Sequence, residues 1–381
     1  MIDVLVVGAG PSGLSTAILL IKGGLRVRVI EKRRGISGHS RAIGIHPPGL
    51  EVLDAVGIGE QVAARAVRIR DGVGISNGRV VGRMDFSQVP SRHRYIASLP
   101  QNETLALLRH RLLVLDPRAL QEDARYLGHR MAPDQHTVQV RLESGSPARS
   151  PETVCARWLI GADGATSAVR HGLRIPFAGR ELPDRYVMGD YPDTTDFGDT
   201  AALFLHPEGI IESFPLPGGL RRWVARQGTG SAAGLATLVR ERAGYLLDDS
   251  QLTMSGEFGT ANRQVSSMVH RRTVLIGDAA HEVSPIGGQG MTLGLLDAAE
   301  LAGILSTPPG VQQLLWPGFE RRRLAASRRA GRQAHLNMVL GRPLPKWVVP
   351  ARDLLLGSLA GSAGINSAVA RTFTMTNGRR Q

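Results

Sequence analysis

The chain has 381 residues, of which 42% are hydrophobic, and this is enough for a large core and for two domains or one large domain with an inserted lobe. Its one cysteine, Cys155, excludes intrachain disulfides and cysteine-based zinc sites and is typical of a reducing compartment. The net charge of +13 comes from arginines scattered along the chain, so we expect no nucleic-acid partner, and we interpret the cluster around Arg321–Arg323 as a solvated helix face.

The N-terminus lacks a basic leader, and no apolar run approaches the roughly 20 residues that a bilayer span requires. The sequence therefore predicts no signal peptide, no membrane association and a cytoplasmic location. We also find no spacing of ligands that indicates a metal site, and we expect a monomer or a homodimer.

A strand, a glycine-rich turn, a helix and a second strand are predicted at the start of the chain. Residues 3–7 are apolar after Asp3 and mostly β-branched, which indicates a buried parallel strand. Residues 8–13 have the pattern G-x-G-x-x-G, residues 14–21 are predicted to form an apolar helix, and residues 25–30 form the next strand before Glu31. This order indicates a dinucleotide-binding βαβ unit.

The glycine-rich turn has a predicted role for each residue. Gly8 permits the sharp turn, Gly10 lets a pyrophosphate approach the backbone, and Gly13 lets the helix pack closely on the strand. The helix start at Pro11 and Ser12 offers free N–H groups and the positive end of the helix dipole to phosphates.

The acid after the second strand is predicted to bind the adenosine ribose. Glu31 follows Gly13 by 18 residues, which suits hydrogen bonds from the ribose hydroxyls, and we count the adjacent Lys32 among the cofactor-binding residues. An acid at this position favours FAD or NAD over a 2′-phosphorylated dinucleotide.

Two further motifs follow apolar strands farther along the chain. Residues 158–160 are a predicted strand that runs into Gly-Ala-Asp-Gly, with Asp163 and Gly164 at its end. A later strand, residues 273–276, ends in Gly277 and Asp278. A glycine-rich segment comes next, followed by a helix predicted over residues 292–305. The candidate cofactor-binding residues of the glycine-rich segment are Pro285, Gly287, Gly288, Gln289, Gly290 and Met291.

With these three motifs in this order, residues 1–310 resemble the flavoprotein aromatic hydroxylases related to p-hydroxybenzoate hydroxylase. The resemblance implies that Asp278 holds the ribityl chain of FAD and that Asp163 and Gly164 serve FAD and a transient nicotinamide cofactor. Arg41 lies in a segment similar to the one whose arginine contacts the FAD phosphates, and Gln101 in one that supplies a glutamine near the flavin. A capping role for Asp278 and a simple turn role for Asp163 remain open.

The resemblance implies an α/β fold in which a Rossmann-like FAD-binding domain is interleaved with an antiparallel β-sheet substrate domain and followed by a helical tail. The predicted FAD-binding domain comprises residues 1–70, 100–175 and 266–310, the substrate domain 71–99 and 176–265, and the tail 311–381. Alternating strands punctuated by Pro and Gly support the second domain. For the apolar stretch 354–359 we favour core packing over a cover for the cavity or a dimer contact.

The implied activity is hydroxylation of a phenolic aromatic molecule, including polycyclic phenols of secondary metabolism, with NAD(P)H and O2. In this family reduced flavin and O2 give a C4a-hydroperoxide whose distal oxygen is electrophilic, and the protein supplies orientation and water exclusion. No catalytic base is identified: His110, His206 and His281 are candidates by residue type only, and His46 is expected to be structural.

Three alternatives remain open. Epoxidation or Baeyer–Villiger oxidation would use the same flavin intermediate. A halogenase is disfavoured because the four tryptophans, at 158, 223, 316 and 347, are never two residues apart and lysine is scarce. A flavin-binding protein without turnover would bind FAD, yet no substrate would stimulate its NAD(P)H oxidation.

Overall fold

The computed structural model describes residues 2–38, 42–145, 151–228 and 233–377. Within these residues the chain forms three sheets and ten α-helices. Short 3-10 turns occur at Asp249–Gln251 and Gly277–Ala279.

Strands and helices alternate in groups along the described part of the chain. The first ten strands are β1 (Ile2–Val7), β2 (Val27–Glu31), β3 (Gly44–Ile45), β4 (Val67–Ile69), β5 (Asp71–Ser76), β6 (Arg79–Asp85), β7 (Ile96–Ser98), β8 (Leu120–Glu122), β9 (Ala124–Met131) and β10 (Val138–Ser144). The other strands are β11 (Glu152–Gly161), β12 (Phe177–Pro192), β13 (Ala201–Phe204), β14 (Ile211–Leu216), β15 (Leu220–Gln227), β16 (Met254–Val265), β17 (Val269–His270), β18 (Thr273–Leu275) and β19 (His281–Glu282). The helices are α1 (Pro11–Lys22), α2 (Pro47–Val56), α3 (Gly59–Arg65), α4 (Gln101–Leu115), α5 (Ala168–Gly172), α6 (Leu235–Ala243), α7 (Gln289–Leu305), α8 (Pro309–Leu340), α9 (Val349–Gly361) and α10 (Ala363–Phe373).

The first sheet has a parallel centre in the order β18-β11-β1-β2-β8. Antiparallel β17 flanks β18, and β10 and β9 extend the sheet from the N-terminal half of β11. The side chains of Val4, Leu5 and Val6 are fully buried, as expected for a strand covered on both faces. Because β1, β2, β11 and β18 are parallel, their carboxyl ends meet at one edge, which we call the cofactor edge.

The second sheet has the order β19-β16-β12-β15-β14-β13-β5-β6, and every pairing in it except β13 with β5 is antiparallel. One face packs on α6 through Tyr191, Trp223 and Leu238. Residues at the alternate positions of the same strands, such as Met188 of β12 and Val224 of β15, point to the opposite face of the sheet. We call that opposite face the cavity face.

The C-terminal helices lie against this second sheet. Buried Arg352 of α9 donates to Ser76 Oγ and the Leu205 carbonyl, both at 2.9 Å. Asn366 of α10 donates to the Arg83 carbonyl of β6 at 2.8 Å. The prediction of core packing for residues 354–359 is wrong in part, because Leu354 and Leu355 are 74% and 59% exposed.

Among the described helices, none is long and apolar enough to cross a membrane. The sequence predicted that α1 begins at residue 14 and α7 at residue 292, and both predicted starts are three residues too late. Helix α1 begins at Pro11 and α7 at Gln289, so both helices start inside the glycine-rich segments that precede them.

Candidate active site

The glycine-rich turn between β1 and α1 is held by two close backbone contacts. Gly8 has a φ of +106°, and a Cβ there would lie 2.4 Å from the Ala162 carbonyl oxygen. A Cβ on Gly13 would lie 2.0 Å from the Gly8 carbonyl oxygen. At Gly10, by contrast, a Cβ would meet nothing within 4 Å. Two glycines thus close the turn, whereas the third leaves space beside its backbone.

The N-terminus of α1 opens into this space without a side-chain cap. Its N-cap is Gly10, Pro11 is the first helical residue, and no side chain bonds the first N–H groups. Glu31 stabilises the turn, since its carboxylate accepts from the Ala9 N–H at 2.9 Å and the Arg33 N–H at 3.0 Å. The adjacent Lys32 is exposed.

The Asp163 side chain is turned toward its own loop. It accepts from Ser167 Oγ at 2.5 Å and from the Ala168 N–H at 2.7 Å, so it stabilises the start of α5. Gly164 has a φ of +84°. Arg170 ties this loop to the next motif, because it donates to the Ala165 carbonyl at 2.6 Å and the Ala279 carbonyl at 2.9 Å.

The Gly277–Asp278 turn rests on a buried ionic network that the sequence reasoning missed. The Asp297 carboxylate of α7 accepts from the Gly277 N–H at 2.9 Å, from His281 Nε2 at 2.6 Å and from Arg323 Nε at 2.6 Å. Burial raises the pKa of Asp297, but the charges of His281 and Arg323 outweigh it and the net pKa is about 2. The same pairing raises the pKa of His281 despite its burial.

Asp278 itself is exposed and lines the cavity. The surrounding protein walls desolvate its carboxylate and thereby raise its pKa, and the charges of Glu282 and Asp297 act in the same direction. His281 opposes this shift. Asp278 is therefore an acid with unused hydrogen-bonding capacity at the cofactor edge.

The start of α7 forms the second uncapped helix N-terminus at this edge. Its N-cap, Gly288, has a φ of +67°, no side chain caps the helix, and Gly287 before it has a φ of +96°. Gln289 is buried and donates to the Phe373 carbonyl of α10 at 3.0 Å. The N–H groups of Gly290 and Met291 follow in the first helical turn.

His46 packs against this helix start and is fully buried. Its Nε2 lies 2.9 Å from the Gly287 carbonyl oxygen, so Nε2 carries the proton and donates it. Burial lowers the pKa of His46 to about 4, which keeps the ring neutral at physiological pH. Nδ1 has no hydrogen-bond partner among the described residues.

One continuous cavity of about 1080 Å³ joins the cofactor edge, the cavity face of the second sheet and the C-terminal helices. Many of the sequence-predicted cofactor residues line it: Gly10, Pro11, Ser12, Gln101, Gly164, Asp278, Pro285, Gly287, Gly288, Gly290 and Met291. The other candidates do not line it: Gly8, Gly13, Glu31, Lys32, Asp163, Gly277 and Gln289. Arg41 lies outside the described residues.

Comparison with known proteins places this geometry in a family. A family model described as an FAD-binding domain matches residues 1–315. Para-nitrophenol 4-monooxygenase of Pseudomonas sp. (strain WBC-3) is 31% identical over 316 residues, which cover 79% of this chain and 77% of that protein. The chain belongs to the family of FAD-dependent aromatic hydroxylases. FAD is therefore its cofactor, and the predicted assignment as an FAD-dependent monooxygenase is confirmed.

Solved structures confirm the fold of this family. A crystal structure of p-nitrophenol 4-monooxygenase from Pseudomonas putida DLL-E4 matches with a TM-score of 0.86 at 24% identity and covers 100% of this chain and 99% of that one. The anhydrotetracycline hydroxylase of Streptomyces rimosus matches with a TM-score of 0.81 at 27% identity, over 100% of this chain and 77% of that one. The predicted α/β fold is thus confirmed.

The family also contains longer relatives. The 6-methylpretetramide 4-monooxygenase of Streptomyces rimosus is 30% identical over 312 residues, which are 79% of this chain but 55% of that enzyme. The chain spans 57% of pentachlorophenol 4-monooxygenase of Sphingobium chlorophenolicum. Several curated hydroxylases are therefore much longer than the region they share with this chain.

The wall opposite the cofactor edge of this hydroxylase is the cavity face of the second sheet. It is mostly apolar, and Leu203, Phe214, Val224 and Phe258 contribute to it. Four charged residues of this sheet also line the cavity: Arg83, Glu212, Arg222 and Glu282. Arg222 forms an ion pair with Asp190 at 2.6 Å and 2.8 Å, and Glu282 pairs with Arg263 at 3.2 Å.

One expectation about charged residues is wrong, and two buried acids add to the site. Arg323 is not part of a solvated face, because its side chain is buried and pairs with Asp297. Glu212 and Asp297 belong to none of the sequence motifs. Glu212 could have been identified as the one acid in the stretch 210–216, because a buried element seldom contains an isolated carboxylate. Asp297 shares α7 with Glu300, so the sequence has no such signal for it.

Proposed function

We propose that this hydroxylase binds FAD along the cofactor edge, takes a phenolic aromatic substrate on the cavity face, and oxidises it with NAD(P)H and O2. The observation that carries the proposal is the single cavity that reaches from Gly10 and Asp278 to the second sheet. A cofactor at the edge and a small molecule at the sheet would share one continuous cavity, as transfer of an oxygen atom between them requires.

The residues at the edge fit the three parts of FAD. The pyrophosphate would lie beside Gly10, where the backbone is open and the uncapped start of α1 offers N–H groups to an anion. Glu31 already accepts a hydrogen bond from the Ala9 N–H, and its remaining lone pairs would accept another from a ribose hydroxyl. Asp278 would accept hydrogen bonds from the ribityl hydroxyls.

The isoalloxazine would lie at the start of α7. Gly287 and Gly288 permit close backbone approach, and the uncapped N–H groups of the helix suit the negative charge of a reduced flavin. His46, held neutral by burial, would add no positive charge there. Gln101 lines the same space. When bound, the flavin supplies hydride acceptance and activation of O2.

Asp163 is proposed to act indirectly. Its carboxylate stabilises the loop and α5, and the backbone of Gly164 faces the cavity instead. Asp163 would thus hold the shape of the edge without contacting FAD. Arg41 remains a predicted phosphate contact.

The cavity face would bind the substrate and exclude water. Its apolar side chains suit an aromatic ring, and the C-terminal helices contribute Leu356, Leu359 and Phe373 as a third wall. Relatives named for p-nitrophenol and for 6-methylpretetramide suggest that single-ring and polycyclic phenols both be tested.

The test is NAD(P)H consumption by the FAD-loaded protein in aerated buffer, with and without single-ring and polycyclic phenols. We expect at least one phenol to stimulate consumption, with one O2 used and one oxygen atom found in the product. A response only to olefins or ketones would indicate epoxidation or Baeyer–Villiger oxidation, and a halide requirement would indicate a halogenase. A flavin-loaded protein that no substrate stimulates would contradict the proposed activity.

A further inference from the structure

Glu212 is the second residue of β14 and lies on the cavity face. Its strand neighbours are Leu203 of β13 and Val224 of β15, and all three side chains line the cavity. Only 8% of Glu212 is exposed. Among the described residues, no hydrogen bond or ion pair reaches its carboxylate, so its oxygens face the cavity without a protein partner.

The charged groups near Glu212 form ion pairs with other residues. On β15, Arg222 pairs with Asp190 of β12. Asp184 of β12 accepts from Arg226 at 2.9 Å and from Arg342, which follows α8, at 2.7 Å. Burial, together with the charge of Glu212, raises the pKa of Tyr186, so this phenol stays protonated. The side chains that α8 contributes to the cavity, such as Asn337, carry no charge.

A buried carboxyl group without a partner is uncommon in a folded protein. Burying a charge is unfavourable unless it is paired, and most buried polar groups find a hydrogen-bond partner. Glu212 lacks both, yet it faces a space that is shaped to bind a small molecule. An ionised carboxylate can only accept hydrogen bonds, so the missing partner is a donor in the cavity.

We propose that Glu212 is the base of this hydroxylase: its carboxylate accepts the hydrogen bond, and then the proton, of the substrate's phenolic hydroxyl. The proposal rests on the phenolic substrate proposed above. It assigns the cavity face a neutral hydroxyaromatic ligand whose hydroxyl points at β14, away from the cofactor edge.

The step is a proton transfer within the enzyme–substrate complex. The phenolic O–H bond breaks, its electron pair stays on the oxygen, and a new O–H bond forms on a carboxylate oxygen of Glu212. The electron-rich ring that results is the better nucleophile toward an electrophilic oxygen. Burial raises the pKa of Glu212 to about 7, which places the group near the operating pH of a general base.

The first experiment is a binding cycle that needs no turnover. The dissociation constants of 4-chlorophenol and of its methyl ether 4-chloroanisole are measured on oxidised, FAD-loaded protein through the flavin absorbance. In the natural protein we expect the phenol to bind about tenfold more tightly, since a hydrogen bond to a charged group is stronger than one between neutral groups. In Glu212→Leu this preference should disappear.

A second measurement separates the base from a mere anchor. In the natural enzyme, kcat/KM for a stimulating phenol should fall as the pH drops below about 7, because the protonated Glu212 cannot accept a proton. Glu212→Gln retains a hydrogen-bond acceptor but not a base. It should lose this acidic limb and roughly a hundredfold or more in kcat, while part of the binding preference remains.

The matched control is Glu257→Gln, which removes an exposed carboxylate from β16 of the same sheet. It should leave the binding cycle and the pH profile unchanged. Equal affinities for phenol and ether in the natural protein, or an unaltered profile in Glu212→Gln, would overturn the proposal for Glu212. Absence of stimulation by any phenol, with the binding preference intact, would instead refute the proposed hydroxylation and retain Glu212 as a hydroxyl-binding residue.

Discussion

The cofactor edge and the cavity face bound the same cavity but are built on different principles. The edge is made of backbone: glycines at close approach, two uncapped helix starts, and acids such as Glu31 and Asp297 that hold turns through N–H groups. The cavity face is made of side chains that alternate along β-strands, and they are mostly apolar. Glu212, one of the two acids that the sheet contributes to the cavity, holds no turn.

This contrast suggests where each part of the function resides. A dinucleotide is recognised by backbone shape, so the spacing of Gly8, Gly10 and Gly13 is constrained and carries a readable pattern. A substrate is recognised by the side chains of a sheet face, where almost any apolar residue maintains the fold. Substitutions should therefore separate fold, FAD binding and substrate chemistry according to the region they affect.

The largest effect should come from the network beneath the cofactor edge. Asp297→Ala leaves His281 and Arg323 as buried charges without their partner, and we expect a loss of about 3–5 kcal/mol in unfolding free energy. Denaturant unfolding of FAD-free protein measures it. The control is Glu300→Ala, one turn along α7, whose partner Arg322 is 56% exposed, and it should cost less than about 1 kcal/mol. Equal losses would show that the edge does not depend on this network.

The motifs of the edge could be predicted from the sequence because their chemistry depends on local spacing. Gly8 and Gly13 have the close contacts expected of them, and Asp278 faces the cavity. The supports of these motifs could not be predicted in the same way. Arg323 follows Asp278 by 45 residues, and nothing local in an arginine-rich helix shows which guanidinium turns inward.

The cavity face was beyond sequence reasoning for a different reason. Alternation along β14 shows that Glu212 and Ile211 point in opposite directions, but not which direction faces a cavity. That depends on the pairing of β14 with β13 and β15 and on the position of α6, which are all tertiary facts. The same limit explains the apolar stretch in α9, where the two sides of one helix have different surroundings.

The second prediction isolates FAD binding from folding. Gly10→Val should weaken FAD binding by about a hundredfold or more, because the new side chain occupies the space beside the backbone that the pyrophosphate would use. Flavin retention and titration of the FAD-free protein measure it. Gly234→Val is the matched control: Gly234 is likewise an extended N-cap glycine, with a φ of −68° and open space around it, at α6. Similar FAD affinities in both variants would refute the placement of the pyrophosphate.

The third prediction tests the cavity face through stability. Because burial raises the folded-state pKa of Glu212 from 4.5 to about 7, its protonated form stabilises the fold, and this contribution is lost as the pH rises through about 7. The unfolding free energy of Glu212→Gln, relative to that of the natural protein, should therefore rise by on the order of 3 kcal/mol between about pH 4 and about pH 8. Denaturant unfolding of FAD-free protein across this range measures the gain. A constant difference would mean that Glu212 titrates normally.

The fourth prediction concerns the acid that faces the cavity from the edge. Asp278→Ala should weaken FAD binding by roughly 10–100-fold, since the ribityl hydroxyls lose a charged acceptor. Asp278→Asn keeps one acceptor oxygen and should lose less. The FAD-free variants should be at least as stable as the natural protein, because burial raises the pKa of Asp278 and its charge is unfavourable there. Unchanged flavin affinity in Asp278→Ala would leave the residue without a role in binding.

The smallest effect should come from the outer side of α9, which touches neither region. Leu354 is 74% exposed, whereas Leu356, on the same helix, lines the cavity. Leu354→Lys should change stability by less than about 0.5 kcal/mol and leave phenol binding unchanged. Leu356→Lys would place an ammonium group at the cavity wall and should weaken binding of 4-chlorophenol. Light scattering tests the remaining alternative, a dimer contact on this side of α9. If Leu354→Lys has a lower particle mass than the natural protein and Leu356→Lys does not, the exposed side of α9 is a dimer contact. An apolar surface residue outside the cavity would then stabilise the assembly.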